Sequence, residues 1–477
     1  MIRDLRDWIS VMEELGEIVH VKGATAEEDI GTLAEEFQRK MIYPALLFED
    51  IPGYPSGFRL LANSLSSISR LAVTQGLPPT TSERELVEVW REHFHRLPQL
   101  PPRVLEHGPL LDNTMEGRDV DLEKFPAPLW HDADGGRYIG TGCNVVLRDP
   151  ESGWINVGTY RVMVHDARTA GIYISQGKHG RMICEKYWQK GEACPVAVSL
   201  GHDPLLFMVG GIELPAGMNE YAFAGALRGE PIDVIEIGKA RLPVSARAEI
   251  VLEGEMPPEE RRPEGPFGEW PGYYATGSRP EPVIRVSRIY YRNQPIVLGS
   301  PPAVPPCESG YFRQPLRSAL IWEELEKAGV PGVEGVWCHE SGGGRMLVVV
   351  AIRQHYAGHA RQAGLIASQC HGGAYANRIT VVVDEDINPA DLEKVMWALC
   401  TRMDPKEDLE ILEKCWSSPV DPLAYPREQP VYNNRVVFDA CRPWHRRDDW
   451  PMVARSSPER IARVRAKWQD LLRRCGV

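Results

Sequence analysis

Val283-Ile-Arg-Val-Ser-Arg-Ile-Tyr-Tyr291 is the longest of a series of short segments, rich in β-branched residues, in the middle of the chain. Turn residues separate these segments at fairly even spacing, which is typical of consecutive strands. The other segments are 144–147, 160–164, 171–174, 193–200, 232–236 and 248–252. Such a series predicts a β-barrel or a β-sandwich between about residues 140 and 300.

The regions on either side mix helices with strands. Pro-rich stretches at 97–103, 125–129 and 301–306 separate them from the strand-rich centre. Helices are predicted at 4–17, 82–95, 315–328, 355–367, 389–401 and about 457–474, and strands at 17–21, 45–48, 58–62, 346–352 and 379–383. This alternation predicts an N-terminal α/β unit and a second α/β domain, with a partly parallel sheet, after residue 306.

Composition narrows the class of protein. A chain of 477 residues is long enough for about two to four domains, and its 43% hydrophobic and 25% charged residues are typical of a globular protein. A net charge of -12 argues against nucleic-acid binding. The ten cysteines include no Cys-x-x-Cys pair, and no signal peptide or membrane-spanning run is evident. These features predict a cytoplasmic protein with reduced thiols and no membrane or nucleic-acid partner.

Glu264-Gly-Pro-Phe-Gly-Glu269 holds two acids in a Gly/Pro turn beside an aromatic ring. Proline fixes φ at Pro266 and the glycines permit unusual conformations, so the two carboxyl groups could converge. Burial could raise the pKa of one acid while a nearby cation keeps the other ionised, an arrangement suited to proton transfer. The alternative is an ordinary surface turn with two solvated acids, which the six residues alone favour.

Three further segments carry candidate ligands. Asn156-Val-Gly-Thr-Tyr-Arg161 places an amide and a guanidinium at the ends of one predicted strand, where Arg161 could clamp a carboxylate or phosphate. Considered alone, a structural ion pair and a turn-capping Asn are the simpler interpretation. Gln176-Gly-Lys-His-Gly180 sets a cation and an imidazole between glycines, which suits a phosphate or a metal, although lone loop histidines usually bind neither.

Glu220 opens a predicted helix, where the helix dipole alone would favour an acid. Together Asn156, His179 and Glu220 would supply oxygen, nitrogen and oxygen ligands, which suit Mn²⁺ or Mg²⁺. Two other patterns carry little weight. His355 and His359 have the spacing of a zinc helix without its Glu, and Ser341-Gly-Gly-Gly344 lacks the Lys-Ser/Thr ending of a phosphate loop.

The ordered set Asn156, Arg161, His179, Glu220, Glu264 and Glu269 resembles the UbiD family of reversible, non-oxidative decarboxylases that use prenylated FMN. The similarity includes Leu5-Arg-Asp-Trp8, Val251-Leu-Glu-Gly-Glu255, Val381-Val-Val-Asp-Glu-Asp386 and Val395-Met-Trp-Ala-Leu399, and so covers nearly the whole chain. The resemblance implies an α/β (α+β) protein with an N-terminal α/β unit and linker over 1–125 and a split β-barrel that binds prenylated FMN over 126–305. A C-terminal α/β oligomerisation domain over 306–450 and a helical tail over 451–477 complete the implied order.

The same resemblance implies a cofactor site. A divalent metal, Mn²⁺ or Mg²⁺, would join the cofactor phosphate to Asn156, His179 and Glu220, with K⁺ nearby. The implied cofactor-binding residues are Asn156, Gly158, Thr159, Tyr160, Arg161, Lys178, His179, Glu220 and Arg378. Arg378 stands where relatives often carry Lys, Lys178 where some have Gln, and Val157 where some have Trp. Arg402 is a weaker candidate for the same site.

The family's Glu-Arg-Glu network would correspond to Glu264, Arg161 and Glu269. Arg161 would hold Glu264 ionised, and Glu269 would donate the proton after CO₂ has left. A covalent adduct between substrate and prenylated FMN, with the cofactor as electron sink, is implied.

The region 396–406 is similar to the branch of the family that acts on hydroxylated aromatic acids. A heteroaromatic or cinnamic-type acid is the alternative substrate, and residues of 301–313 and 430–440, including Glu308, Tyr311, Asn433 and Asn434, would select it. The implied partners are an aromatic carboxylic acid, CO₂, a UbiX-type flavin prenyltransferase that supplies the cofactor, and further copies of the chain in a homodimer or homohexamer. Alternatives of other classes are an FMN-binding oxidoreductase and a non-catalytic assembly protein.

Overall fold

The computed structural model describes residues 2–39, 44–212, 214–423 and 431–474. Residue 430 of the predicted pocket segment and Cys475 therefore lie outside the described residues. The N-terminal elements are α1 (Leu5–Leu15), β1 (Ile18–Lys22), α2 (Asp29–Gln38), β2 (Ala45–Glu49), β3 (Arg59–Ala62), α3 (Ile68–Thr74) and α4 (Glu83–Arg96). Asp4 caps α1 by accepting a hydrogen bond from the Asp7 amide, and Gly16 ends it with a φ of 69°.

The central elements are almost all strands. They are β4 (Arg103–Val104), β5 (Asn113–Glu116), β6 (Tyr138–Gly140), β7 (Asn144–Arg148), β8 (Ile155–Gly158), β9 (Val162–Asp166), β10 (Thr169–Ile172), α5 (His179–Trp188), β11 (Cys194–Leu200), α6 (Pro204–Gly210), α7 (Glu220–Arg228), β12 (Asp233–Ile237), β13 (Leu242–Ser245), β14 (Ile250–Met256), β15 (Arg261–Glu264), β16 (Arg279–Tyr291) and β17 (Ile296–Gly299). The largest sheet has the order β6-β9-β10-β16-β14-β11-β7-β8, and β5 and β15 also pair with β16.

The C-terminal elements are α8 (Glu308–Tyr311), α9 (Arg313–Lys327), β18 (Val333–Cys338), β19 (Leu347–Ile352), α10 (His359–Gln369), α11 (His371–Ala374), β20 (Ile379–Asp384), α12 (Leu392–Arg402), β21 (Leu409–Trp416), β22 (Tyr432–Ala440), α13 (Pro458–Lys467) and α14 (Gln469–Arg474). Their sheet has the order β18-β19-β20-β22-β21, and its three inner strands run parallel. The prediction of two α/β regions around a strand-rich centre is confirmed.

The N-terminal, central and C-terminal regions pack against one another. β17 leaves the centre and pairs with β3, which gives the N-terminal sheet the order β1-β2-β3-β17. One hydrophobic core contains Leu5 of α1, Val251 of β14 and Leu316 of α9. The described residues include no helix long and apolar enough to cross a bilayer.

Two expectations about strands were wrong. The segment 156–161 is not one strand, because β8 ends at Gly158 and the Thr159 amide donates to the Gly210 carbonyl oxygen at 2.9 Å. Arg161 thus stands in the short connection between β8 and β9. After Pro419 the sequence shows little regularity before the helix predicted at about 457, yet β22 (Tyr432–Ala440) lies in this stretch. Its pattern is hard to recognise since Asn433 and Arg435 point inward and are satisfied by backbone carbonyl groups.

Candidate functional site

Arg161 forms a bidentate salt bridge with Glu264, the last residue of β15. Its Nε donates to Oε1 and its Nη2 to Oε2 of Glu264, both at 2.8 Å. The Tyr138 hydroxyl donates to Oε1 of the same carboxylate at 2.9 Å. Glu264 is only 1% exposed, so these donors replace water around a buried acid.

Glu269 makes a weaker contact with the same guanidinium. One hydrogen bond, from Arg161 Nη1 to Glu269 Oε1 at 3.0 Å, joins them. Burial raises the pKa of the Glu269 carboxyl and the nearby Glu264 charge adds to this rise, while Arg161 opposes it. Arg161 therefore donates two hydrogen bonds to Glu264 but one to Glu269. The Glu269 carboxyl holds a proton more readily than an exposed Glu does. The alternative of a solvated surface turn is wrong, because both acids are largely buried.

Aromatic rings fix the plane of the Arg161 guanidinium. Its Cζ lies 4.6 Å from the centre of the Tyr173 ring and 5.4 Å from that of Phe267. Phe267 in turn packs on Tyr138, with ring centres 4.0 Å apart. The sequence interpretation missed Tyr138 and Tyr173. Nothing in the local sequence marks Tyr138, because its carboxylate partner is 126 residues away along the chain.

Asn156, His179 and Glu220 come from three elements that meet. The Asn156 side-chain amide donates to Glu220 Oε1 at 2.9 Å, and the Val157 amide donates to Glu220 Oε2 at 3.0 Å. The His179 ring packs edge-on against Trp154, which lies two residues before Asn156, with ring centres 5.0 Å apart. The structure thus brings Asn156 and Glu220 into contact and places His179 beside the same strand.

Tyr160 holds the start of α5 against β8. Its hydroxyl lies 3.4 Å from Asn156 Oδ1 and accepts from the Gly180 amide at 3.2 Å. A Cβ atom on Gly158 would lie 2.6 Å from the Tyr160 ring, and one on Gly180 would lie 2.8 Å from it. Glycine is required at both positions because the ring fills the space between them.

A divalent metal and a phosphate fit this corner. Burial raises the pKa of Glu220 to about 7, although hydrogen bonds from Val157 and Asn156 oppose the rise; a bound cation would offset the cost of burying the ionised form. The donor set of amide oxygen, imidazole and carboxylate suits Mn²⁺ or Mg²⁺. The side chain of Lys178, the N-cap residue of α5, makes no capping hydrogen bond, and the Tyr160 hydroxyl accepts from the Gly180 amide in the first turn. The positive end of the helix dipole suits a phosphate group.

The strand end beside this corner also offers a polar group to a cofactor. The buried hydroxyl of Thr159 has no hydrogen-bond partner among the described residues, and a bound cofactor could supply one. In the same described residues, no group of three or more His, Cys, Asp or Glu side chains forms a metal cluster. Asn156, His179 and Glu220 include only two such side chains, so a metal here would depend on the amide.

Other predicted residues lie in structural contacts of the C-terminal region. Arg378 pairs with both oxygens of Asp421 at 2.6 and 2.7 Å, and Arg402 pairs with Asp384 and Asp386. Asn433 donates to the Asn377 carbonyl oxygen at 3.0 Å. These contacts explain the residues without a ligand.

The predicted pocket residue Glu308 is also in a structural contact. It is fully buried and accepts from the Ser64 hydroxyl at 2.6 Å and the Leu65 amide at 2.5 Å, both in the N-terminal region. Glu308 therefore joins the N-terminal and C-terminal regions.

Family models cover most of the chain. The 3-octaprenyl-4-hydroxybenzoate carboxy-lyase N-terminal domain matches residues 9–90, the Rift-related domain of the same family matches 103–305, and the C-terminal domain matches 310–440. A phenolic acid decarboxylase of Streptomyces sp. (strain D7) is 32% identical over 448 residues, which cover 92% of each chain. A pyrrole-2-carboxylic acid decarboxylase of Pseudomonas aeruginosa is 32% identical over 422 residues, 85% of this chain and 84% of that protein.

Solved structures agree with the family models over nearly the full length. The open form of vanillic acid decarboxylase from Sedimentibacter hydroxybenzoicus has a TM-score of 0.88 and 29% identity, with 99% of each chain covered. An evolved dimeric form of the UbiD-class enzyme HmfF from Pelotomaculum thermopropionicum, in complex with prFMN, has a TM-score of 0.82 and 26% identity. That match covers 96% of this chain and 97% of HmfF.

Proposed function

This chain belongs to the UbiD family of carboxy-lyases, and we propose that it catalyses the reversible, non-oxidative decarboxylation of an aromatic carboxylic acid with prenylated FMN. The observation that carries this proposal is the unequal contact of Arg161 with two buried acids. Such a pair offers one carboxyl group fixed by Arg161 and one acid able to release a proton, which a decarboxylase needs once CO₂ has left.

In this mechanism the chain's residues orient the substrate and move one proton. When bound, prenylated FMN would supply the electron sink for the reaction. The bond between the ring carbon and the carboxyl carbon breaks and CO₂ leaves. The electron pair of the broken bond stays with the substrate. Glu269 gives its proton to that carbon and regains one from water. Arg161, held flat by Glu264 and the rings of Tyr173 and Phe267, keeps the Glu269 carboxyl in place.

The cofactor site would occupy the corner formed by β8, α5 and α7. Asn156, His179 and Glu220 would hold Mn²⁺, or Mg²⁺, against the cofactor phosphate, and K⁺ would bind nearby. Lys178 and the segment 158–161 would contact the flavin. The contact of Asn156 with Glu220 and the start of α5 at His179 support this placement. Arg378 has weaker support, because Asp421 already neutralises it.

We propose a hydroxylated benzoic-type acid as substrate. The similarity to a phenolic acid decarboxylase and to a vanillic acid decarboxylase supports this choice. A heteroaromatic acid is the second candidate, because an equally similar relative is a pyrrole-2-carboxylic acid decarboxylase. A UbiX-type flavin prenyltransferase would supply the cofactor, and the chain would work as a homodimer or homohexamer in the cytoplasm.

The test compares protein made with and without a flavin prenyltransferase. We expect CO₂ release from 4-hydroxybenzoate, protocatechuate or vanillate only when the prenyltransferase is present, and prenylated FMN in the mass spectrum of the extracted cofactor. Pyrrole-2-carboxylate and a cinnamic acid in the same panel separate the substrate classes. Equal activity without the prenyltransferase, or no activity on any acid, would contradict the proposal. Reduction of the bound chromophore by NAD(P)H would favour an oxidoreductase instead.

Glu269→Gln tests the proton donor. The amide cannot supply the proton, so we expect decarboxylation to fall by about a thousandfold or more while the protein still binds flavin. Glu255→Gln is the matched control, because Glu255 is an exposed acid on β14. Turnover by Glu269→Gln close to that of the unmodified protein would remove Glu269 from the mechanism.

A further inference from the structure

Glu269 lies on a short hairpin whose tip is Trp270. The Glu269 amide donates to the Tyr273 carbonyl oxygen at 3.0 Å, and the Gly272 amide donates back to the Glu269 carbonyl oxygen at 2.8 Å. Gly268 and Tyr274 form a bridge below this turn. The Glu269 carboxyl is therefore one peptide unit from the Trp270 side chain, within a tightly bonded turn.

The tip of the hairpin lies against the C-terminal region. A Cβ atom on Gly343 would lie 2.7 Å from Cε3 of Trp270 and 3.2 Å from the Trp270 carbonyl oxygen. Gly343 has a φ of 61°, so it also adopts a left-handed conformation that other residues avoid. Within the Ser341-Gly-Gly-Gly344 pattern, which lacks the ending of a phosphate loop, Gly343 thus leaves room for the indole ring of Trp270.

A cation completes this surface. The Arg345 Cζ lies 5.6 Å from the centre of the Trp270 ring and 5.2 Å from that of Tyr375. Two carbonyl oxygens of the loop, those of His339 and Glu340, accept hydrogen bonds from the amides of Gly344 and Gly343 at 2.9 and 2.8 Å. The Gly343 loop is therefore bonded within itself and can act as a fixed support.

The other side of the hairpin contacts the segment that joins the central and C-terminal regions. A Cβ atom on Gly272 would lie 2.8 Å from the Val304 Cα, and one on Gly268 would lie 3.3 Å from the Pro302 carbonyl oxygen. The hairpin is thus enclosed by the joining segment on one side and by Gly343 on the other. A shift of either support would move the Glu269 carboxyl relative to Arg161.

We propose that Trp270 is a positioning residue, which docks on Gly343 and Arg345 and thereby ties the place of the Glu269 carboxyl to the C-terminal region. This inference rests on the proposed role of Glu269 as proton donor. The carboxyl meets Arg161 through a single hydrogen bond of 3.0 Å, and a displacement of about 1 Å at a reacting group costs up to about a hundredfold in rate. The rate of decarboxylation then depends on the position of the C-terminal region relative to Arg161.

The first test uses Trp270→Ala and Trp270→Phe in the full chain. We expect Trp270→Ala to lower kcat by about tenfold to a hundredfold with little change in KM, because substrate binding is intact while the proton donor is displaced. Trp270→Phe keeps a ring on Gly343 and restores most of the lost kcat. Equal kcat in Trp270→Ala and the unmodified protein would overturn the inference, and so would a fall in Trp270→Phe as large as in Trp270→Ala.

A second readout does not depend on activity. In hydrogen–deuterium exchange of the protein without cofactor, we expect Trp270→Ala and Gly343→Ala to speed exchange of the segment 264–275 by about tenfold. Gly329→Ala is the control, because Gly329 has a similar φ of 79° but open space around it. Unchanged exchange in Trp270→Ala would contradict the inference. Faster exchange in a protein that decarboxylates no acid would support the docking contact and contradict the proposed function.

Discussion

At the scale of single residues, one arginine distinguishes two acids with the same side chain. Glu264 accepts from two nitrogens of Arg161 and from Tyr138, whereas Glu269 accepts from one nitrogen of Arg161. The pairing of Glu264 with Arg279 across β15 and β16 sets the first acid in a sheet, while the second stands on a hairpin. Different supports give chemically identical groups different roles.

The pH dependence of kcat should report on Glu269. Burial raises its pKa above that of an ordinary Glu, and only the protonated form can donate, so kcat falls as the pH rises through this raised pKa. Arg279 opposes the rise, as Arg161 does. Arg279→Met should therefore raise the pKa further and move the fall in kcat to higher pH.

A pH–rate profile of both proteins checks this prediction. Arg285→Met serves as the control, because Arg285 lies on the same strand but pairs at the surface with Glu260. A kcat that rises with pH over the same range, or a fall that Arg279→Met moves to lower pH, would exclude Glu269 as the titrating donor.

Tyr138→Phe should weaken catalysis without preventing folding. The change removes one hydrogen bond to the Glu264 carboxylate but keeps the ring that packs on Phe267. A hydrogen bond to a charged group contributes about 1.5 to 3 kcal/mol. Without it Glu264 holds the Arg161 guanidinium less firmly in its orientation, and we expect kcat to fall by about tenfold. Steady-state kinetics measure this. Tyr290→Phe, which removes a similar bond to Glu253 outside the site, should leave kcat unchanged.

At the scale of elements, periodicity predicted most helices and strands within a few residues. The predicted helix at 82–95 is α4 (Glu83–Arg96), and the predicted strand at 379–383 is β20 (Ile379–Asp384). Periodicity does not indicate elements whose side chains contact residues far away in the sequence. Glu264 ends a strand that no alternation indicates, and inward-pointing Arg435 hides the apolar pattern of β22. Tertiary contacts determine such segments, and local propensity does not report them.

The strand β22 carries a test of stability. Burial raises the pKa of Asp439 from 3.8 to about 6, and the nearby Asp408 adds to the rise. The folded state then holds a proton that the unfolded state releases, so stability falls as the pH rises from about 4 to above 6. Asp439→Asn removes this loss and should stabilise the protein by about 1 to 3 kcal/mol at neutral pH, with little effect near pH 4.

Urea denaturation at both pH values measures the difference. Asp448→Asn is the control, because the Asp448 side chain is 89% exposed, and its removal should change the free energy of unfolding by less than about 0.5 kcal/mol at either pH. A destabilised Asp439→Asn at neutral pH would show that the ionised carboxylate is favoured in the folded protein, contrary to the prediction.

At the scale of the whole molecule, a buried ion cluster connects regions that lie far apart in sequence. Glu249 is fully buried and accepts from Arg6 of α1 at 2.8 and 2.7 Å, from Arg292 at 3.1 Å and from the Ile296 amide at 3.3 Å. Glu249→Gln leaves these cations without a full counter-charge. We expect a loss of about 3 kcal/mol in the free energy of unfolding, measured by urea denaturation.

The control for this prediction is Glu236→Gln. Glu236 pairs with Arg241, whose side chain is 76% exposed, so its loss should cost less than about 1 kcal/mol. Similar losses in the two variants would mean that the Glu249 cluster contributes no more than a surface pair.

The site as a whole was only partly predictable. The residue types of Asn156, His179 and Glu220 indicated a metal, and the two acids at 264 and 269 indicated proton transfer, because the chemistry of each side chain is visible in the sequence. That these residues lie close together in the fold could be inferred only from the resemblance to a family. The docking of Trp270 on Gly343 could not be foreseen, because it joins residues of different regions through shape alone.

The strand β17 has a consequence for the order in which the chain can fold during synthesis. It supplies the fourth strand of the N-terminal sheet, in parallel register from Ile296 opposite Arg59 to Gly299 opposite Ala62. A ribosome releases β3 long before β17, so the edge of β3 is exposed while the whole central region is made. The N-terminal region therefore cannot complete its own sheet, and the edge of β3 stays open to pairing with other strands until β17 has been made.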